Sequence, residues 1–339
     1  MKIRIAKIIS LSLMIVGFSC VSNAQMESQF SQYMFNRLSY NPAYVGSTGS
    51  ICAAVMYRNQ WLGLQLDPPA EGYDAGATPT HYLFTFDSPV KFLHGGVGFT
   101  VASEKIGYHS SMSAAVDYAF RIYWGPGNLA AAVELNLWNT TTDFTQFIGS
   151  DDFTGNYENP VSPSGDPSIS GSKGDDMLID ASTGVYYQVP GEYYFGFAVK
   201  NLLGAESDIL NFKLARVLYL LGGYEWTIPA NPSFRLKPSA LIKMADFATY
   251  QVDVSCLLEY QNQLWLGASY RLQDAVAFMV GFNWNKLKFG LSYDLTTSRL
   301  GYSKLGRSYG TAEAYMRYCF KVVIPPKAPS AYRNTRYLF

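Results

Sequence analysis

The sequence predicts an all-β fold: a closed antiparallel outer-membrane barrel of about fourteen strands, with short periplasmic turns and longer external loops. Three observations predict it. Apolar and polar residues alternate along nearly every segment, every second connection is short, and charge is scarce while aromatic residues are abundant. Successive side chains of a strand point to opposite faces, so strict alternation means two different media on the two sides of the wall.

Composition sets the class. Charged residues make up 15% of the 339 residues and aromatic residues 16%. A water-facing surface needs about a quarter or more of its residues charged, whereas a barrel in lipid turns one face of each strand to hydrocarbon and rims it with aromatics. Lysine plus arginine equal aspartate plus glutamate at 26 each, which argues against nucleic acid as a partner. Four cysteines are too few for a disulfide scaffold.

Residues 1–24 read as a signal peptide: Lys2, Arg4 and Lys7 precede a short apolar run, and Ser22-Asn23-Ala24 supplies small residues for cleavage. A lipoprotein signal ending at Cys20 is the alternative, with Phe18 and Ser19 making a poor lipobox. No later run reaches the ~18 apolar residues of a membrane-spanning helix. The remaining chain divides into an N-terminal segment, 25–49, a barrel, 50–323, and a basic tail, 324–339. Both termini are expected in the periplasm, because an even strand count returns the chain to its starting side.

The strands follow in order, starting near Ser50, His81, Gly95, Tyr108, Gly127, Met177, Glu192, Lys213, Ser233, Thr249, Gln263, Ala275, Leu287 and Tyr309. In "SSMSAAVDYAFRIYW" the residues Met112, Ala114, Val116, Tyr118, Phe120 and Ile122 share the lipid face. In "GNLAAAVELNLW" Val133 and Leu135 face out, with Glu134 and Asn136 opposite. "TAEAYMRYCFKV" sets Ala312, Ala314 and Met316 against Glu313, Tyr315 and Arg317. Tight connections such as "SPVKF", "WGPG", "PG" and "NK" alternate with long ones at 62–80, 141–176 and 296–310. The 141–176 stretch, rich in Gly, Ser, Pro and Asp, reads as a mobile external loop. Its Asp151-Asp152 and Asp175-Asp176 pairs lack the spacing of a calcium loop, so no metal is expected.

The inward faces carry Arg235, Lys237, Lys243, Asp253, Glu259 and Arg271. Mixed signs on neighbouring strands can pair across the sheet. A selective pore is lined by rings of one sign, so this weighs against a porin. Only His81, His94 and His109 are available as catalytic bases, all near strand ends, and no GxSxG elbow occurs. A non-enzyme without cofactor is expected. Cys52 falls near the start of the first strand and Cys319 near the end of the last, both on inward faces, where a disulfide is geometrically possible; two unpaired buried thiols are the expected state. Cys256 falls on the lipid face.

The segment "QFSQYMFNRLSYNPAYVGS" stands before the first strand. Phe30, Tyr33 and Met34 at i, i+3 and i+4 would share one face of a helical turn, and Asn41-Pro42 would end it. A plug or brace in the periplasmic mouth and a partner-docking surface are both open readings.

This stretch also resembles the opening of the PorP/SprF family of outer-membrane proteins. Gln29, Phe30, Ser31, Gln32, Tyr33, Met34, Asn36, Asn41, Pro42, Ala43, Tyr44 and Gly46 match its pattern, and Tyr57, Arg58, Asn59, Gln60 and Trp61 match a second motif. "SEKIG", "GVYYQVPGEYYFGFAVKNLLG" and "RSYGTAEAYMRYCF" extend the likeness over the chain. Arg37 stands where proline is expected, and Lys200-Asn201 where Pro-His is frequent. The resemblance implies a component of type IX secretion and gliding motility without catalytic residues. It also implies two partners: the C-terminal domain of a secreted adhesin, and the periplasmic lipoprotein ring or motor components. The tail, with Pro325, Pro326 and Pro329 beside Lys327, Arg333 and Arg336, is a further candidate contact for an acidic periplasmic partner. A small-solute porin is the rival reading.

Overall fold

Every strand of the wall hydrogen-bonds to the next, and the first bonds to the last. The computed structural model describes residues 29–62, 78–143, 173–207, 209–210, 212–298 and 310–321. The expected signal peptide, most of the 141–176 stretch and the 324–339 tail lie outside them.

Fourteen strands make the wall: β1 (Ser50–Asn59), β2 (Thr80–Val90), β3 (Gly95–Ile106), β4 (His109–Trp124), β5 (Gly127–Asp143), β6 (Lys173–Val189), β7 (Tyr193–Lys200), β8 (Val217–Tyr224), β9 (Phe234–Ala245), β10 (Thr249–Tyr260), β11 (Leu264–Arg271), β12 (Ala275–Trp284), β13 (Leu287–Thr296) and β14 (Thr311–Lys321). All pairings are antiparallel between neighbours in sequence, and β1 closes on β14 with Ser50 opposite Lys321 and Asn59 opposite Ala312. Closure leaves no open edge to present unpaired backbone groups to lipid. The two-residue ladder Trp226–Thr227 prolongs β8 against β9.

Two starts differ from expectation. β6 begins at Lys173, because Asp175 and Asp176 pair opposite Thr141 and Thr140 and carry the ladder beyond the apolar run. β8 begins at Val217, because Phe212-Lys213 instead pairs with Glu206-Ser207 in a separate small hairpin. Ser88–Val90, read as a turn, continue β2, and the turn is the 3-10 segment Lys91–Leu93. The difference in connection length is partial. The end bearing Ser50 and Lys321 has mostly short turns, but at the opposite end the β3–β4, β9–β10 and β11–β12 connections are as tight.

Alternation sorts the faces as expected. Val116, Val133, Leu135 and Ile179 point outward, while Asp117, Glu134, Asp180 and Ser182 point into the lumen and are buried. Outward aromatics form two girdles. Tyr57, Tyr82, Tyr250, Tyr270 and Tyr293 lie toward the long-loop end, and Trp124, Trp226, Tyr260 and Trp284 toward the short-turn end. Such belts mark the two interfaces of a bilayer. Cys256 is exposed on the outer face, and Cys52 and Cys319, directly opposite in the β1–β14 register, are joined by a disulfide. The two unpaired thiols expected from the sequence are therefore not what the structure shows.

Candidate functional site: a lumen filled by the N-terminal segment

The N-terminal segment does not stop at the barrel mouth. It runs lengthwise through the lumen as three 3-10 turns, Tyr33–Phe35, Arg37–Ser39 and Pro42–Tyr44, before joining β1 at the short-turn end. Gln32, Asn41, Ala43 and Val45 are completely enclosed. An irregular backbone placed there must find a partner for each N–H and C=O group. The strands' inward side chains supply many of them.

Toward the long-loop end lies an ionic cluster. Glu313 accepts from the backbone N–H of Ser31 at 2.8 Å and of Gln32 at 2.9 Å. The Ser31 hydroxyl donates to Asp294 at 2.6 Å and accepts from Arg58 at 3.0 Å and Arg271 at 3.2 Å. Arg58 also bonds Asp294 and Glu313, at 2.9 and 3.1 Å. Arg271 and Lys243 flank Asp253, at 3.1 and 3.3 Å. Charges this deeply buried persist because they are paired. Of the mixed inward signs read from the sequence, Lys243, Asp253 and Arg271 join this cluster, whereas Arg235, Lys237 and Glu259 gather with Glu225 toward the short-turn end.

Midway, Asn41 is the anchor. Its amide donates to the carbonyls of Val185 at 3.0 Å and Phe197 at 3.3 Å, while its oxygen caps the N–H of Ala43 at 2.9 Å. The side chain fits only because Gly184 and Gly196 lie beneath it; a Cβ at Gly196 would stand 2.7 Å from its amide nitrogen. Pro42 then occupies the first position of the next turn, where its missing N–H costs nothing. Lys200 holds the carbonyl of Ser39 at 3.1 Å and Glu134 at 3.1 Å. Arg37 lies in an aromatic cage, its guanidinium 3.6 Å from the Tyr194 ring centre and 3.0 Å from the Tyr186 hydroxyl. A proline at 37 would forgo both contacts.

At the short-turn end, Arg121 donates to the Val45 carbonyl at 2.7 Å, Gln188 to the Ser47 carbonyl at 2.7 Å, and Arg317 to the Tyr44 hydroxyl at 3.0 Å. Gly46 has φ +67, and a Cβ there would lie 3.0 Å from the Cα of Gly96. Conformation and space both demand glycine. Phe35 stacks between Trp265 and Tyr315, with ring centres 4.6 and 5.3 Å away.

The motif residues thus divide. Phe30 does not share a face with Tyr33 and Met34; it leads into a second apolar cluster with Ala54, Met56, Leu83 and Tyr315. The helical face expected of these three residues is broken because the 3-10 turn begins only at Tyr33. Asn36 bonds Ser39 at 2.8 Å within the segment. Gln29 opens the described segment and is half-buried. In the second motif Arg58 alone reaches the segment. Tyr57 faces outward beside Tyr82, Asn59 reaches the Tyr57 hydroxyl at 3.4 Å, the Gln60 N–H bonds Pro79, and the Trp61 N–H bonds Thr311. A docking surface made of the 29–46 residues would have to leave the lumen first. His81 faces Glu104 at 3.3 Å, His109 bonds Thr142 at 3.0 Å, and His94 ends the Lys91–Leu93 turn in a left-handed conformation.

Glu313, Asp294, Gly184 and Gly196 were not singled out from the sequence. The signal was present for Glu313, which falls on the inward set opposite Arg58 once β1 and β14 are paired.

Comparisons with known proteins agree with the resemblance. The family described as type IX secretion system membrane protein PorP/SprF matches residues 22–318. No curated protein matches. Among solved structures the chain is similar to the Ralstonia pickettii toluene transporter TbuX at 10% identity, covering 83% of this chain and 92% of that one, TM-score 0.46. It is also similar to the CymD monoaromatic hydrocarbon channel at 11% identity, covering 88% and 94%, TM-score 0.45. Likenesses this distant carry no argument, and the barrel rests on its own closed ladder.

Proposed function

The chain belongs to the PorP/SprF family of type IX secretion system membrane proteins, and from that premise we propose that it is a plugged, non-enzymatic outer-membrane anchor or accessory of the secretion and gliding machinery. In this reading it helps export or hold one secreted adhesin through the adhesin's C-terminal domain. Its short-turn end faces the periplasm and engages the lipoprotein ring or motor components, and its long loops face outward.

The filled lumen supports an anchor over a conduit. A solute porin needs an aqueous channel, and here Asn41, Arg37 and the Glu313 cluster occupy the interior that such a channel would need. The contacts of the three histidines fit the non-enzymatic reading: His81 faces the Glu104 carboxylate, His109 lies against the Thr142 and Thr140 hydroxyls, and His94 stands beside the Phe120 ring.

Deletion of the gene in its host tests the reading, with the surface proteome and planar-bilayer conductance of the purified barrel as the two measurements. Loss of one large surface adhesin, with no steady solute-sized conductance, is expected. An unchanged surface proteome together with steady conductance would establish the porin instead.

A further inference from the structure

Beneath the N-terminal segment, at the short-turn end, the lumen opens into a cavity of about 720 Å³. That volume is within the ~300–1,000 Å³ range of small-ligand sites. Its charge is lopsided. Arg37, Lys237, Lys286, Lys288 and Arg317 line it, against the single carboxylate of Glu225. Some of these cations are already engaged. Lys237 pairs with Glu259 at 3.0 Å and Glu225 at 3.4 Å, and Arg317 pairs with Asp87 at 3.4 Å.

Lys288 differs. Among the described residues no carboxylate lies within ion-pair distance of it, and its ammonium stands 5.1 Å from the centre of the Phe35 ring. It also lies directly opposite Arg317 in the β13–β14 register. Like charges facing each other across a ladder are destabilising. A half-buried ammonium whose opposing charge, Glu259, acts on it only from beyond contact distance adds to that cost. The amide of Asn285, which also lines the cavity, provides a neutral donor beside these cations, while that of Asn283 already donates to the Asn262 carbonyl at 2.9 Å.

We propose that this cavity is a binding site for an anionic group, a carboxylate or a phosphate, which enters from the short-turn end and is held by Lys288 with Arg317 behind it. The anion would neutralise the facing cations, and the Phe35 and Tyr315 rings would pack the apolar part of the ligand. The site is independent of the secretion role, since it rests on lumen geometry alone.

The full chain in detergent tests it, with inorganic phosphate as probe and its phosphorus-31 line width as readout. Wild type and Lys213→Met, whose lysine pairs with Glu206 in the hairpin outside the barrel ladder, should broaden the line several-fold. Lys288→Met should not, while its circular dichroism stays that of the barrel. A short peptide with a free C-terminal carboxylate, set against its amide, then assigns the source. Relief of broadening by the acid alone identifies a carboxylate ligand, and relief by neither identifies a phosphate. No broadening in wild type, which needs no variant to interpret, or equal broadening in Lys288→Met overturns the proposal.

Discussion

Glu313, on the last strand, accepts the backbone N–H of Ser31, 282 residues earlier, at 2.8 Å. The carboxylate is fully enclosed and also meets Arg58 of the first strand at 3.1 Å. One side chain therefore links the two seam strands to the segment inside them.

Replacing it should release the segment. Removing one partner of a buried ion pair costs about 3–5 kcal/mol by leaving the other charge uncompensated. Glu313→Gln should therefore lower the temperature at which the barrel loses its folded mobility on gels, and expose the 29–46 region to protease. Arg58→Met should do the same. Added singly, the two losses should exceed that of the double variant, because the cluster acts as a unit.

Gly196 makes a steric prediction. A Cβ there meets the Asn41 amide at 2.7 Å and the Tyr186 ring at 2.9 Å. Gly196→Ala should displace the segment by overpacking, at a cost of about 1–3 kcal/mol. Planar-bilayer recordings should show current where wild type shows none. Asn41→Ala in the same chain should recover part of the stability, since it removes the obstructing amide.

Leu135 and Glu134 test which side faces lipid. Leu135 is 66% exposed on the outer face and Glu134 is 2% exposed on the inner. An arginine at the lipid face near the bilayer midplane costs about 2–4 kcal/mol. Leu135→Arg should thus reduce folding into vesicles by that amount, read from denaturant titration, whereas Thr141→Arg at the long-loop end of the same strand should cost little.

The seam carries a covalent prediction. Peptide mapping without reductant should recover Cys52 linked to Cys319 and, of the cysteines in the described residues, Cys256 alone open to alkylation. Cys52→Ser should leave the β1–β14 pairing intact but lower the unfolding temperature, because the link closes a loop of almost the whole barrel.

Arg37 should contribute through its cage. With the guanidinium 3.6 Å from the Tyr194 ring centre, Arg37→Ala should cost about 2 kcal/mol in denaturant titrations. Arg37→Lys should recover less than half, since an ammonium cannot both stack and reach the Tyr186 hydroxyl as a planar fork does.

What the sequence made legible was the wall. Each strand meets lipid on one side, so Val133, Glu134 and Leu135 announce their faces without reference to any neighbour. The starts at Ser50, Gly95, Gly127, Thr249, Ala275 and Leu287 coincide with the ladders for the same reason. The lumen was less legible, because its partners come from remote strands. Nothing near Asn41 in the chain says that Gly184 and Gly196 will leave it room. The segment's own aromatics suggested burial but not depth, since depth depends on the Ser31 N–H finding an acid on β14. The starts expected near Met177 and Lys213 misled in opposite directions. At the first, ladder pairing outran the apolar run; at the second, a short hairpin imitated the start of a strand.

The most direct measurement places a photo-crosslinking residue inside the barrel. Phe35 borders the cavity and so has room for Phe35→p-benzoylphenylalanine. Irradiation of the intact protein in its membrane, followed by peptide mass spectrometry, should join position 35 to the β11 and β14 peptides carrying Trp265 and Tyr315. Crosslinks to other proteins alone, with none inside the chain, would contradict a lumen filled by the N-terminal segment.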